Sequence, residues 1–140
     1  MVLFSCNSTK KSSKKEINEV IKKEDINKPN IVKLQSTTYT INLLNGNKSL
    51  VKNPTMVLDF KKNSIRGNTG CNTYGGNMSI TNDKIKFERL AGTKIYCKDF
   101  MDIEKEFLST LTKSDHFKIE KNQFFLYDKA DNLLLIGNEK

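Results

Sequence analysis

The chain has 140 residues, 36% of them hydrophobic and 29% charged, with a net charge of +8 and a pI near 9.4. That length suits one domain, and no run approaches the roughly 20 apolar residues that a membrane-spanning helix needs. The basic excess is densest early: residues 7–33 hold eight Lys against four acidic residues, a net of +4, and the other +4 is spread over a body of mixed charge. Such a body gives no reason to expect a nucleic-acid surface.

The chain opens with "VLFSCNSTKK", in which Leu3 stands three residues before Cys6 and the small Ser5 directly before it. This spacing resembles the lipobox of bacterial lipoproteins. There a signal peptidase cuts before the cysteine, whose thiol and new amino group are then lipidated. A functional signal needs a basic region and a longer apolar stretch than the five residues before Cys6, so the lipobox reading expects further residues upstream. The alternative is a soluble protein with an incidental early cysteine. Residues 1–6 are accordingly read as the remnant of a signal, 7–33 as a linker and 34–140 as the domain. Ser, Thr, Lys and Asn dominate the linker, leaving too little apolar surface to offset the entropy of ordering. Its lysines suit a solvated spacer or contact with anionic head groups. Asn7, Asn47 and Asn77 head glycosylation sequons, which matter only in a eukaryotic host.

From Leu34 the pattern changes to short alternating runs. "TYTINLL" (38–44) ends at Asn45-Gly46, a strong turn signal. "PTMVLDF" (54–60) reads as a strand that starts after a proline. "SIRG" (64–67) and "GGNMSI" (75–80) flank a glycine-rich turn, and "KIKFER" (84–89) alternates with Ile85 and Phe87 on one face. In "DFMDIEKEFLSTLTKSD" the apolar Phe100, Ile103, Phe107, Leu108 and Leu111 recur at helical intervals. Asp99 is the expected N-cap, and Asp102 and Glu104 suit the start of the helix dipole. The last three runs, "HFKIE", "QFFLYD" and "NLLLIG", are separated by gaps short enough for hairpins. The expected fold class is α+β: a small antiparallel sheet or partly closed barrel of about seven or eight short strands, with one amphipathic helix packed on it.

"IRGNTGCNTYGG" (65–76) followed by "LAGTKIYCKD" (90–99), an acidic amphipathic helix and a final strand pair resembles the META domain of HslJ-type heat-shock lipoproteins. The matching residues are Gly70-Cys71-Asn72, Tyr74, Gly76, Thr93-Lys94, Cys97, Glu104 and Phe107-Leu108, and the likeness runs over about residues 36–137. One departure is Tyr39, where the family commonly has Trp. The resemblance implies a small β-rich fold with a helix, an envelope lipoprotein linked to stress tolerance, and no established catalytic activity. It points to a monomer held at a bacterial membrane by lipid on Cys6, facing the periplasm or the cell surface. An envelope protein or small ligand would be its partner, with no cofactor or metal.

Read for themselves, the motif residues favour geometry over chemistry. The glycine run lacks the Gly-Lys-Ser/Thr ending of a phosphate-binding loop, and no Cys/His spacing suits zinc. Ser12-Ser13-Lys14-Lys15 contains a Ser-x-x-Lys match without the partner motifs of that chemistry. A nucleophile at Cys71 or Cys97 served by His116, the single histidine, is the enzymatic alternative: a small hydrolase or thiol-dependent enzyme. Gly67, Gly70, Gly75 and Gly76 suit tight turning and close backbone approach, Asn72 suits the left-handed region, and a buried Tyr74 needs a hydroxyl partner. Cys71 and Cys97 would pair in an oxidising envelope or sit as two buried thiols in a cytoplasm. The corner beside Lys94 and Arg66 is a candidate anion cradle. A third class, a periplasmic inhibitor or chaperone-like binder, requires an exposed apolar patch or protruding loop.

Overall fold

A computed structural model describes residues 36–140 of the chain; Cys6 and the 7–33 segment lie outside the described residues. Eight strands and one helix follow in the order β1 (Thr37–Leu44), β2 (Thr55–Asp59), β3 (Ser64–Asn68), β4 (Thr73–Thr81), β5 (Lys84–Gly92), α1 (Met101–Lys113), β6 (His116–Glu120), β7 (Gln123–Tyr127) and β8 (Leu133–Glu139). Each strand pairs antiparallel with the next, and β8 returns to β1, from Tyr39 opposite Glu139 to Leu44 opposite Leu135. The sheet is therefore a ring, which removes the open edges that invite aggregation. Among the described residues the expected α+β class, strand number and single helix hold.

The ring is weakest between β5 and β6, which share one register pair, Lys84 with His116. The backbone bonds Ile85 N–H to Asp115 O and Phe117 N–H to Asp83 O, both 2.9 Å, flank that pair. The two strands have no other register pair, and α1, inserted between them in the chain, packs beside β5 with Phe107 and Leu111 in the core. An isolated helix of 13 residues is marginal in water, so packing holds it. Phe107 and Leu111 are fully buried, each contributing about 1.5–3 kcal/mol. The Phe107 ring meets Tyr74 edge to face with centroids 5.4 Å apart.

Period-2 alternation directs the rest of the core. Tyr39, Ile41, Met56, Leu58, Ile65, Met78, Ile85, Phe87, Phe117, Phe124 and Leu126 all point inward. Tyr39 is buried against Phe124 at 5.3 Å between centroids. Burial pushes its phenol up to about 12. Asn45 and Gly46 both take positive φ, 46° and 83°, the conformation of the expected tight turn.

Two details differ from the sequence reading. The helix begins at Met101, and its N-cap is Phe100, which makes no side-chain cap bond. Asp99 is displaced because the chain first turns on a Phe100 N–H to Cys97 O bond of 2.9 Å. Strand β5 also runs three residues further than Arg89, past a bulge. There Arg89 takes φ +54°, a left-handed conformation costing a non-glycine residue about 1–2 kcal/mol.

Candidate functional site: a polar-bridged cleft at one end of the ring

The loops 45–54, 69–72 and 93–100 gather at one end of the ring, beside the start of α1. Residues 69–72 form a turn that satisfies itself. Gly70 N–H donates to Asn68 Oδ1 (2.8 Å), Thr69 N–H to the Asn72 carbonyl (2.8 Å) and Asn72 N–H to Thr69 Oγ1 (3.1 Å). Gly70 has φ +111°, a region closed to side chains without strain. Because these N–H groups are taken internally, they do not form the expected anion cradle. Arg66 belongs to the middle of β3, opposite Val57 and Gly75, and does not line the cleft that Lys94 lines.

Asn72 is the hub, and it is buried. Its Oδ1 accepts from Thr93 Oγ1 (2.7 Å) and from Ile95 N–H (2.8 Å). Its Nδ2 donates to Ile95 O (3.0 Å) and to the Glu104 carboxylate (2.9 and 3.1 Å). Both lone pairs and both protons of the amide are thus used. The Ile95 N–H also fixes which way round the amide sits. Thr69 Oγ1 donates to the same Glu104 carboxylate, and Thr93 Oγ1 accepts from Thr73 N–H at 3.2 Å. One short side chain therefore ties the β3–β4 turn, the segment after β5 and the first turn of α1 together. Asn72 does this without the positive φ expected of it.

Cys71 and Cys97 are disulfide-bonded with Cα atoms 5.9 Å apart, so the same two loops are joined covalently next to the hub. The bond leaves no free thiol at either position for the Cys–His alternative. His116 stands at the opposite end of β5, beside Lys84. Its Nδ1 is 3.0 Å from Asp115 and its Nε2 2.9 Å from Asp131, with its ring stacked on Tyr127.

Next to the hub lies a cleft of about 310 Å³ lined by Thr69, Tyr74, Leu90, Thr93, Glu104 and Leu108, among others. Lys94 stands exposed at its rim. Tyr74 is buried, and its hydroxyl donates to Thr55 O at 3.0 Å, the partner its burial demands. Burial alone raises its phenol far above the ordinary value. Gly67 is needed for close approach, since a Cβ there would stand 2.0 Å from Thr55 O. Gly76 faces the Arg89 bulge, where a Cβ would meet Glu88 O and Leu90 Cδ2, each at 2.8 Å. The bulge places Leu90 in the cleft wall, as bulges near sites commonly re-aim a side chain.

Of the motif residues, Gly70, Cys71, Asn72, Tyr74, Thr93, Lys94 and Cys97 come together here, with Gly67 and Gly76 supporting from the strands. Sequence reasoning missed Thr69 and Ile95. Thr69 sat in the motif unremarked, and nothing local marks Ile95, whose backbone rather than side chain is recognised. Among the described residues no group of His, Cys, Asp and Glu is arranged to hold a metal ion. No described helix is long and apolar enough to cross a membrane.

None of the curated proteins compared with the chain matches it significantly. Two solved structures share the fold. An NMR structure of a protein from Burkholderia xenovorans aligns with TM-score 0.64 and 22% identity, over 79% of this chain and 86% of that one. A second NMR structure aligns with TM-score 0.61 and 19% identity, over 79% and 94%. The model of the META domain matches residues 32–140, and the chain belongs to the META domain family.

Proposed function

We propose that this protein is a lipid-anchored, non-catalytic domain of the bacterial cell envelope, a module for stress-related binding or envelope maintenance. The observation that carries the reading is the Cys71–Cys97 bond. Disulfides persist in oxidising compartments such as the periplasm or the cell surface, and this pairing leaves Cys6 as the one cysteine for acylation. The polar side chains of the motif support binding rather than catalysis. Asn72, Thr69, Thr93 and Glu104 are occupied in holding one another, and the cleft beside them offers a preformed surface for a partner.

The test is expression with the natural upstream sequence in a bacterial host, followed by fractionation and metabolic labelling with a clickable fatty acid. The protein is expected in the membrane fraction, labelled, and released and unlabelled in the Cys6→Ala variant. Alkylation and mass spectrometry should find Cys71 joined to Cys97. Recovery of unlabelled protein in the cytosol with both thiols free overturns the reading.

A further inference from the structure

Four large hydrophobic side chains are exposed among the described residues, and three of them lie in the loops that gather by the cleft. Val51 is 76% exposed, Ile95 62% and Tyr96 76%, against 37% for the fourth, Leu133, at the start of β8. Their loops are neighbours. Lys52 Cβ comes within 3.7 Å of where a Cβ on Gly70 would stand, Lys52 Nζ lies 5.5 Å from the Phe100 ring centroid, and Cys71 is bonded to Cys97.

Isolated exposed apolar residues need no explanation, but these are held out. Ile95 has both backbone polar groups bound by the Asn72 amide, and Tyr96 stands between that residue and the disulfide. The segment is fixed at the point where it presents two bulky side chains to water. Charge identifies what they would meet. The loops 45–54, 69–72 and 93–100 hold Lys48, Lys52, Lys94 and Lys98 against Asp99; of the acids at the adjoining start of α1, Glu104 is bonded to Asn72 and Glu106 to Asn45, and Asp102 is exposed. All four lysines are exposed, and among the described residues none makes a salt bridge.

We propose that this end of the ring docks on an anionic phospholipid surface, with Val51, Ile95 and Tyr96 entering the head-group region and Lys48, Lys52, Lys94 and Lys98 pairing with lipid phosphates. Aliphatic tips beside a tyrosine and ringed by lysines match the interface between head groups and acyl chains. They sit on exposed loops, which suits a planar partner. The docking does not depend on acylation at Cys6, so the two ideas fail separately.

The test uses the full chain with Cys6→Ser, mixed with vesicles of phosphatidylcholine alone or with phosphatidylglycerol added, and scored by flotation. Binding is expected only to the anionic vesicles. The Val51→Ser/Ile95→Ser/Tyr96→Ser variant should bind them at least about tenfold more weakly, and Lys94→Gln/Lys98→Gln should weaken binding and flatten its salt dependence. Tyr96→Asp alone, at a site with no core contact to lose, should reproduce most of the apolar effect with an unchanged thermal transition. Unaltered vesicle binding in the apolar variants overturns the proposal, as does failure of the parent chain to float. A protein partner whose capture needs Ile95 and Tyr96 while vesicle binding ignores them overturns it as well.

Discussion

The carboxylate of Glu104, in the first turn of α1, is held by the side-chain amide of Asn72 from the β3–β4 turn, 32 residues earlier. Among the described residues no cation takes part in this contact. Charge-assisted bonds from neutral donors do the work, and they are stronger than neutral pairs. Replacing Asn72 with Leu keeps the volume but strands Ile95 N–H, Ile95 O and Thr93 Oγ1, and halves the support of Glu104. A net loss of about 3 kcal/mol is expected, read as a shifted midpoint in urea. Asn72→Asp should be worse at neutral pH, because it sets two carboxylates against each other.

Gly67 and Gly75 lie in the same corner, yet their tolerance should differ. An added Cβ at Gly67 would stand 2.0 Å from the Thr55 carbonyl oxygen, a backbone atom that cannot swing away, whereas at Gly75 the nearest atom is 3.5 Å off. Gly67→Ala is expected to cost about 3 kcal/mol or more through forced separation of β2 and β3. Gly75→Ala should stay within about 1 kcal/mol of the parent. Thermal unfolding of the two variants side by side checks the contrast.

The disulfide closes a loop of 26 positions, and constraint of the unfolded chain gives it a stabilising effect of about 3.5 kcal/mol. The native contribution should approach that value, because Asn72 already joins the same loops and little new order is imposed. Cys71→Ser/Cys97→Ser, or reduction with a strong thiol reagent, is expected to lower stability by that amount without loss of the β-rich circular dichroism spectrum. Equal stability of oxidised and reduced protein contradicts it.

Much of this architecture was legible because its causes are local. Asn45-Gly46 can hardly be read except as a turn. Ile85 and Phe87 alternate as a half-buried strand must, and Phe107 and Leu111 fall on the buried face of the helix. What was not legible depends on residues far apart in the chain. Closure of the ring pairs Tyr39 with Glu139 across nearly the whole domain, which no periodicity announces. The bulge at Arg89 breaks a local rule, since nothing about an arginine marks a left-handed residue. The glycine that makes room for it, Gly76, sits on the neighbouring strand. Asn72 was recognised as special but for the wrong reason: its residue type fits a turn, and the structure uses it instead as a four-way connector between segments. The ligands of that connector, Ile95 N–H and O, are backbone groups and leave no trace in side-chain identity.

The joint between β5 and β6 gives a pH-dependent prediction. Asp115 bonds Lys84 and His116 beside the one register pair of these strands, with Asp131 on the far side of the imidazole and Tyr127 against its face. The hydrogen bond from Lys84, then that from His116, lowers the Asp115 carboxyl below its ordinary 3.8, and the bond to Asp115 raises Lys84 above 10.5. A lowered carboxyl stabilises the fold above its unfolded-state value and loses that effect as pH falls through the folded one. A raised amine stabilises below its unfolded value and loses the effect as pH rises through the folded one. The pair therefore contributes steadily from about pH 5 to pH 9 and fades on either side. Lys84 is exposed and Asp115 partly so, so the gain is modest, but it falls on the weakest seam of the ring. Asp115→Asn should lower the melting temperature by a constant small amount across that neutral window, and the gap to the parent should close below about pH 3.8. Hydrogen exchange gives the local readout: the Phe117 amide, bonded to Asp83 O, should exchange faster in the variant while amides of the β3–β4 pair keep their protection. A gap that persists unchanged at pH 2.5 would mean that the carboxylate charge is not what holds β6 to β5.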